Sequence, residues 1–374
     1  MTEGRQRLEA IARERGGGLW LVGGAVRDAA LGVPARDLDV AVEGDALAVA
    51  REAGEVLSEH ERFGTAEALV AGARVNFAST RTETYAAPGA LPEVALGATI
   101  EEDLRRRDFT VNAIAVALDD GREIAFPGAR EDLTARRLRV LHERSFHDDP
   151  TRAYRLARYA ARLGLDAEPV TAQLAREADP STVSAERVAN EIRLMLAEPD
   201  PIRCLEAATT LLGKGTVPEI DAQRARQAIT ASLAQADPAI VLIASGQDPS
   251  SAAAWAERLG LPRSAIDTVR RAARADEVAE RLRAATRPSE LAAVARREPP
   301  EALALAAALG ASDEARRASD LARTPLAITG ADLRAAGVPE GPQLGAALRR
   351  VRDAVLDGEV EPTRDAQLRA ALGR

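Results

Sequence analysis

The sequence predicts an α+β head followed by an all-helical remainder, and three observations carry that expectation. Short β-rich runs separated by glycine turns and helical segments fill the first 140 residues or so, among them Leu19 to Val22, Glu67 to Val70 and Arg74 to Phe77. Beyond Phe146, apolar residues recur at three- and four-residue spacing through Ala153 to Leu163, Val188 to Leu196 and Ile202 to Leu212, the period of amphipathic helices. Proline and glycine then punctuate the chain at Pro199-Asp200-Pro201, Gly246 to Pro249, Pro299-Pro300 and Gly337 to Pro342, which sets helices of ordinary length rather than a coiled coil. With 374 residues there is room for several domains with their own cores.

The first element, Leu19 to Val22, is short, apolar and bounded by glycines on both sides, as a buried strand is. Gly23 and Gly24 follow. They let a ligand approach the backbone without Cβ interference and open a helix near Ala25, whose free N–H groups suit an anion. A second strand carries Asp37-Leu38-Asp39. Side chains alternate along a strand, so Asp37 and Asp39 share a face and their carboxylates repel unless a cation lies between them. A Mg²⁺ ion holding a nucleotide triphosphate answers that need, because it takes a few carboxylates plus substrate phosphates. Arg74 to Phe77 forms a neighbouring strand that turns Asn76 toward the same carboxylates, as a neutral ligand or simply a polar strand residue.

Arg81 to Glu93, broken by Pro88, Gly89 and Pro92, is too irregular for strand or helix and reads as a loop. In Arg105 to Ala113, Asp108, Thr110 and Asn112 alternate with Phe109, Val111 and Ala113, as if an extended segment showed one polar edge to a ligand. Its arginines, Arg107 among them, can neutralise a triphosphate, and Thr110 and Asn112 offer donors and acceptors to a ribose hydroxyl. Asp149 can cap a helix that starts at Pro150, which brings Asp149 and Arg152 onto one face of the first turn. Beyond them Arg155, Arg158 and Arg162 continue a basic stripe that suits either substrate phosphates or a solvated face. Ser184 to Arg187 has the form of a helix start.

Composition narrows the function classes. Aromatics are 3% of the chain, too few for RNA recognition on stacking platforms, and the net charge of −8 argues against coating nucleic acid indiscriminately. Lys214 is the only lysine. Cys204 is the only cysteine, so no disulfide partner is expected within the chain, and the three histidines are too few for a histidine-built hydrolase. No secretory or membrane-spanning segment is read, and a cytoplasmic protein without a membrane partner is expected.

The string Gly23-Gly24-x-x-Arg27-Asp28 followed by Asp37-x-Asp39 resembles the signature of the class II tRNA nucleotidyltransferases, the CCA-adding enzymes, and of their bacterial poly(A) polymerase relatives. Arg106 to Ala113 resembles that family's second motif almost letter for letter. Asp148-Asp149-x-x-Arg152 resembles the fourth with aspartate replacing glutamate, Ser184 to Arg187 the fifth, and Ile328 to Gly345 the C-terminal segment. The chain departs from the pattern at Asn76, where a third carboxylate often stands, and at Ala125, where an aspartate is usual.

The resemblance implies a polymerase β-like nucleotidyltransferase head at residues 1–140, then an all-helical neck at 141–199 with the base template, body at 200–325 and tail at 326–374. It implies addition of C and A, from CTP and ATP, to the 3′ end of tRNA. Asp37 and Asp39 would bind Mg²⁺; Gly23, Gly24 and Arg27 would cradle phosphates; Arg107, Asp108 and Asn112 would orient ribose and triphosphate. Arg155 and Arg158 would meet phosphates. Asp149 and Arg152 would choose the base, since an acceptor beside a donor matches the Watson–Crick edges of cytosine and adenine and rejects uracil and guanine. The loop after Arg81 holds the place of the family's mobile loop, close to full length. Two alternatives share these motifs: A-only or poly(A) addition, and a catalytically silent RNA-binding relative.

Overall fold

The computed structural model describes residues 2–34, 37–231 and 235–373, which divide into two compact units, Met1–Thr216 and Val217–Arg374.

The first unit begins with α1 (Thr2–Arg15), β1 (Leu19–Val22), α2 (Gly24–Ala30), β2 (Leu38–Val42) and α3 (Ala46–Ala53). Strands β3 (Glu55–His60), β4 (Thr65–Val70) and β5 (Ala73–Ser79) follow, then β6 (Arg81–Thr84), β7 (Glu93–Leu96) and α4 (Ile100–Arg105). Strands β8 (Ile114–Ala117) and β9 (Glu123–Ala125) complete a seven-stranded sheet of order β3-β4-β5-β2-β1-β8-β9. β2 and β5 run parallel and the other neighbours antiparallel.

Strand alternation divides the core between two faces. Leu19, Leu21, Val40 and Val42 pack with Leu8 and Ile11 of α1 and Val49 of α3; Trp20, Val22 and Ala41 pack with Ile100 and Leu104 of α4 on the other side. The helices after the sheet are α5 (Ala129–Thr134), α6 (Ser145–Asp148), α7 (Thr151–Leu163), α8 (Pro169–Glu177), α9 (Ala185–Leu196) and α10 (Pro201–Leu212). Leu156, Tyr159 and Leu163 of α7 join the same cluster as the first sheet face. Tyr159 meets Phe109 edge to face at 6.0 Å, an aromatic geometry that fixes α7 against the head.

Two local expectations are corrected. The stretch Arg81 to Glu93 is not loop throughout: β6 and β7 pair antiparallel, Arg81 opposite Leu96 and Thr84 opposite Glu93, and only residues 85–92 between them are irregular. Nor is Arg105 to Ala113 extended. Helix α4 ends at Arg105 and a single 3₁₀ turn, Thr110–Asn112, follows, because the buried Asp108 carboxylate accepts bonds from the Phe109 N–H and from Asn112 Nδ2 and folds the segment onto itself.

The second unit is helical from Ala222–Thr230 to Arg364–Leu372. Asp237-Pro238 and Asp248-Pro249 each start a helix with an aspartate cap and a proline at the first position. A small cluster of Ile328, Leu333, Ala347, Val351 and Ala371 closes its C-terminal end. Among the described residues no helix is long and apolar enough to cross a membrane.

Candidate active site

Where β1 passes into α2, Gly23 takes φ +62°, a conformation that costs any residue with a Cβ. A Cβ there would lie 3.1 Å from Arg107 Nη1 and 3.7 Å from Asp39 Oδ2, so the glycine leaves open the space between a guanidinium and a carboxylate. Asp39 lies on β2 opposite Asn76 of β5 in parallel register, and Asn76 Nδ2 donates to Asp39 Oδ1 at 3.0 Å. Asn76 therefore orients the carboxylate through its amide nitrogen. Asp37 precedes the first residue of β2 and is exposed. Burial pushes the Asp39 carboxyl above its ordinary value, against the opposing pull of Asn76 and Arg107.

These donors fit a hard divalent cation. Asp37 and Asp39 offer carboxylate oxygens, Asp39 Oδ2 faces the glycine turn, and no cluster of three or more candidate ligands exists among the described residues. Two carboxylates leave most of a cation's coordination to substrate oxygens and water, the division Mg²⁺ favours in phosphate chemistry.

Farther in, Arg107 Nη2 donates to Asp103 at 3.0 Å, while its buried Nε has no partner. Burial opposes ionisation of Asp103, but Arg107 and Arg106 outweigh it and hold the carboxyl below the usual range. Arg27 is 3% exposed. It donates to Asp28 Oδ1 at 2.8 Å and to Asn112 Oδ1 at 2.6 Å. Asn112 in turn holds Asp108, whose other oxygen pairs with Arg155 at 2.7 Å. Burial works against the Asp108 charge, and Arg155 and Asn112 overcome it, leaving the carboxyl below its ordinary value. Thr110 turns away and donates to Asp132 at 2.9 Å, so it offers nothing to a ribose from here.

The arginine stripe on α7 is neither a solvated face nor a row of free cations. Arg158 pairs with Glu198 at 3.2 Å and Glu191 at 3.6 Å, and Arg162 with Asp28 at 3.0 Å. Asp149 and Arg152 are not partners of one another either. Asp149 Oδ1 accepts from the Thr151 N–H at 3.0 Å, so it caps α7, and it pairs with Arg187 of α9 at 2.8 Å. Arg152 donates to Ser145 Oγ, to the Arg106 carbonyl and to the Tyr85 hydroxyl, at 2.9, 2.8 and 3.4 Å. Burial and the neighbouring Glu83, opposed by Arg152, push the Tyr85 hydroxyl up to about 12.

Gly23, Gly24, Arg27, Asp37, Asp39, Arg107, Asp108, Asn112, Asp149, Arg152, Arg155 and Arg158 all line one cleft of about 720 Å³, within the size range of small-molecule sites. Sequence reasoning missed other members of its wall. Glu83 and Tyr85 belong to the segment read as loop, and Arg106 pairs with Glu83 at 2.9 Å. Arg187 was read only as part of a helix start, yet its guanidinium bridges Asp149 and the Gly89 carbonyl, the latter at 3.0 Å. Its place as the third residue of α9, behind the Ser184 cap, carries no signal of a partner 38 positions back.

Residues 19–139 match the poly A polymerase head domain family. An A-adding tRNA nucleotidyltransferase of Halalkalibacterium halodurans is 41% identical over 198 residues, 49% of this chain and 46% of that protein. One of Geobacter sulfurreducens is 33% identical over 405 aligned positions, 95% of this chain and 45% of that protein. The chain thus spans about half the length of these relatives. The Thermotoga maritima CCA-adding enzyme complexed with tRNA superposes with a TM-score of 0.75 at 25% identity, covering 98% of this chain and 94% of that one. Residues 19–139 thus belong to the poly A polymerase head domain family, and the chain is similar along nearly its whole length to tRNA nucleotidyltransferases.

Proposed function

We propose that this chain is an RNA nucleotidyltransferase that adds C and A, from CTP and ATP, to the 3′ end of tRNA in the cytoplasm without a nucleic-acid template. The observation that carries the reading is the shared cleft: a glycine turn, two carboxylates and the Asp149 and Arg152 side chains line the same cavity. Gly23, Gly24, Arg27 and Arg107 receive the triphosphate, whose anionic oxygens find backbone N–H groups and guanidinium donors. Asp108 and Asn112, rigid through their mutual bond, present the ribose side. Asp149 offers an acceptor and Arg152 a donor to the base edge, and Arg187 and the Arg106 carbonyl hold those two side chains in place. Asp37 and Asp39 would hold Mg²⁺, which when bound offsets triphosphate charge and favours ionisation of the attacking 3′-hydroxyl. The 3′-oxygen bonds to the α-phosphorus as the bond to pyrophosphate breaks.

A second reading is addition of A alone, favoured by the two relatives named above, both A-adding. A tRNA transcript ending at the base before CCA and one ending in CC, each given CTP or ATP separately, distinguish the two. C incorporation on the first transcript together with A incorporation on the second supports the first reading. ATP use on the second alone supports the other. No incorporation on either, with tRNA bound, overturns both.

A further inference from the structure

Arg155 and Arg162 stand seven residues, two turns, apart on one face of α7. An unbroken line of side chains leaves the helix at the first and returns at the second. Arg155 pairs with Asp108 Oδ2 at 2.7 Å, and Asn112 Nδ2 donates to Asp108 Oδ1 at 2.8 Å. Arg27 then donates to Asn112 Oδ1 at 2.6 Å and to Asp28 Oδ1 at 2.8 Å, and Arg162 Nη2 donates to Asp28 Oδ2 at 3.0 Å. Tyr159, between the two arginines on the helix, fills the middle of this circuit, with the Arg27 and Arg158 guanidinium carbons 4.9 and 5.0 Å from its ring centroid. The Asp28 end of the circuit is largely shielded from solvent, with the Arg27 and Asp28 side chains each 3% exposed and Arg162 14% exposed, whereas Arg155 at the other end is 37% exposed.

Asp28 gives one oxygen to each neighbour, Oδ1 to Arg27 and Oδ2 to Arg162. Loss of Arg162 would leave Oδ2 buried without that donor, and the carboxylate would turn to recover a bond, carrying Arg27 with it. We propose that Arg162 is a positioning residue that sets the Arg27 guanidinium through Asp28 and thereby the grip on the phosphate end of the nucleotide. The inference rests on the assignment of Arg27 to the triphosphate made above.

Binding of CTP and of CMP to the full chain, with Mg²⁺ and without tRNA, tests it. Arg162→Gln is expected to weaken CTP about tenfold while CMP changes by less than about twofold, because the link acts on the β- and γ-phosphates, which CMP lacks. Equal losses for the two ligands, or none, overturn the proposal. Asp28→Asn breaks the same link with an isosteric side chain and reads the same way should Arg162→Gln fail to fold. The double variant is expected to be no worse than either single one; additive losses would mean that Arg162 acts on phosphate directly and not through Asp28. Arg162→Lys, which returns a cation to Asp28, is expected to recover most of the affinity, and no recovery counts against the proposal. Arg27→Gln separates the two levels. Unchanged CTP affinity there removes the phosphate assignment itself, whereas a loss there with none in Arg162→Gln and Asp28→Asn removes only the role of Arg162.

Discussion

The two ends of the cleft solve opposite problems. At the glycine turn the charges are left open: Asp37 is exposed, Asp39 Oδ2 faces empty space beside Gly23, and burial makes the Asp39 charge costly. Along α7 the charges are closed, since Arg155, Arg158 and Arg162 each face a carboxylate and Asp28 faces two guanidiniums. The first end brings Asp37 and Asp39 beside the glycine turn, carboxylates whose repulsion a cation would offset. At the second, each arginine already faces a carboxylate, although Asp108 Oδ2 and the Nε atoms of Arg155 and Arg158 have no hydrogen-bond partner among the described residues. Removing a charge should therefore cost function with little loss of stability at the first end, and at the second should cost stability together with the nucleotide grip that the paired charges support.

Asp39→Ala should make the largest difference, lowering nucleotide incorporation by at least about a thousandfold in a primer-extension assay. Its unfolding free energy should stay within about 1 kcal/mol of the parent, because Asn76 is exposed and water replaces the lost contact. An unstable Asp39→Ala would erase the contrast. Asp28→Ala should do the reverse, lowering the urea-unfolding free energy by about 3–5 kcal/mol, since it strands the buried Arg27 cation.

A pH titration sharpens the closed end. Asp108 is held below its ordinary value of 3.8 in the folded chain, so its contribution is complete above that value and is lost as pH falls through the lower folded-state value. Stability measured by thermal unfolding should fall on acidification below about pH 4, and Asp108→Asn should flatten that slope. The smallest effect is expected from Gly89→Ala. Gly89 has φ +66°, and a Cβ there would lie 2.6 Å from the Thr182 carbonyl, so the substitution should lift the loop from Arg187. A rise of less than about tenfold in KM for CTP and ATP is expected, with a stability loss of about 1 kcal/mol from the strained backbone. A larger stability loss would mean that the loop belongs to the scaffold.

Much of this contrast was visible in the sequence, and what was hidden has a physical reason. The strand, glycine turn, helix and carboxylate strand between Leu19 and Val42 are encoded locally, by period and by glycine, and so were readable. The β6 and β7 arms were hidden because Pro88, Gly89 and Pro92 between them dominate any local reading, while strand pairing is a nonlocal property. The turn at Thr110–Asn112 was hidden because polar and apolar residues happen to alternate there as in a strand. Above all, a sequence does not state partners. Arg162 meets Asp28 across 134 positions, and Asp149 takes Arg187 in preference to the Arg152 three residues away.

The boundary between the two compact units has a practical consequence. Lys214, the only lysine in the chain, is exposed in the turn that follows α10, two residues before the first unit ends at Thr216. A lysine-specific protease would therefore cut the 374-residue chain once, at the seam. The same side chain is the one lysine amine open to a reactive dye, so a label can be put between the halves without touching the cleft.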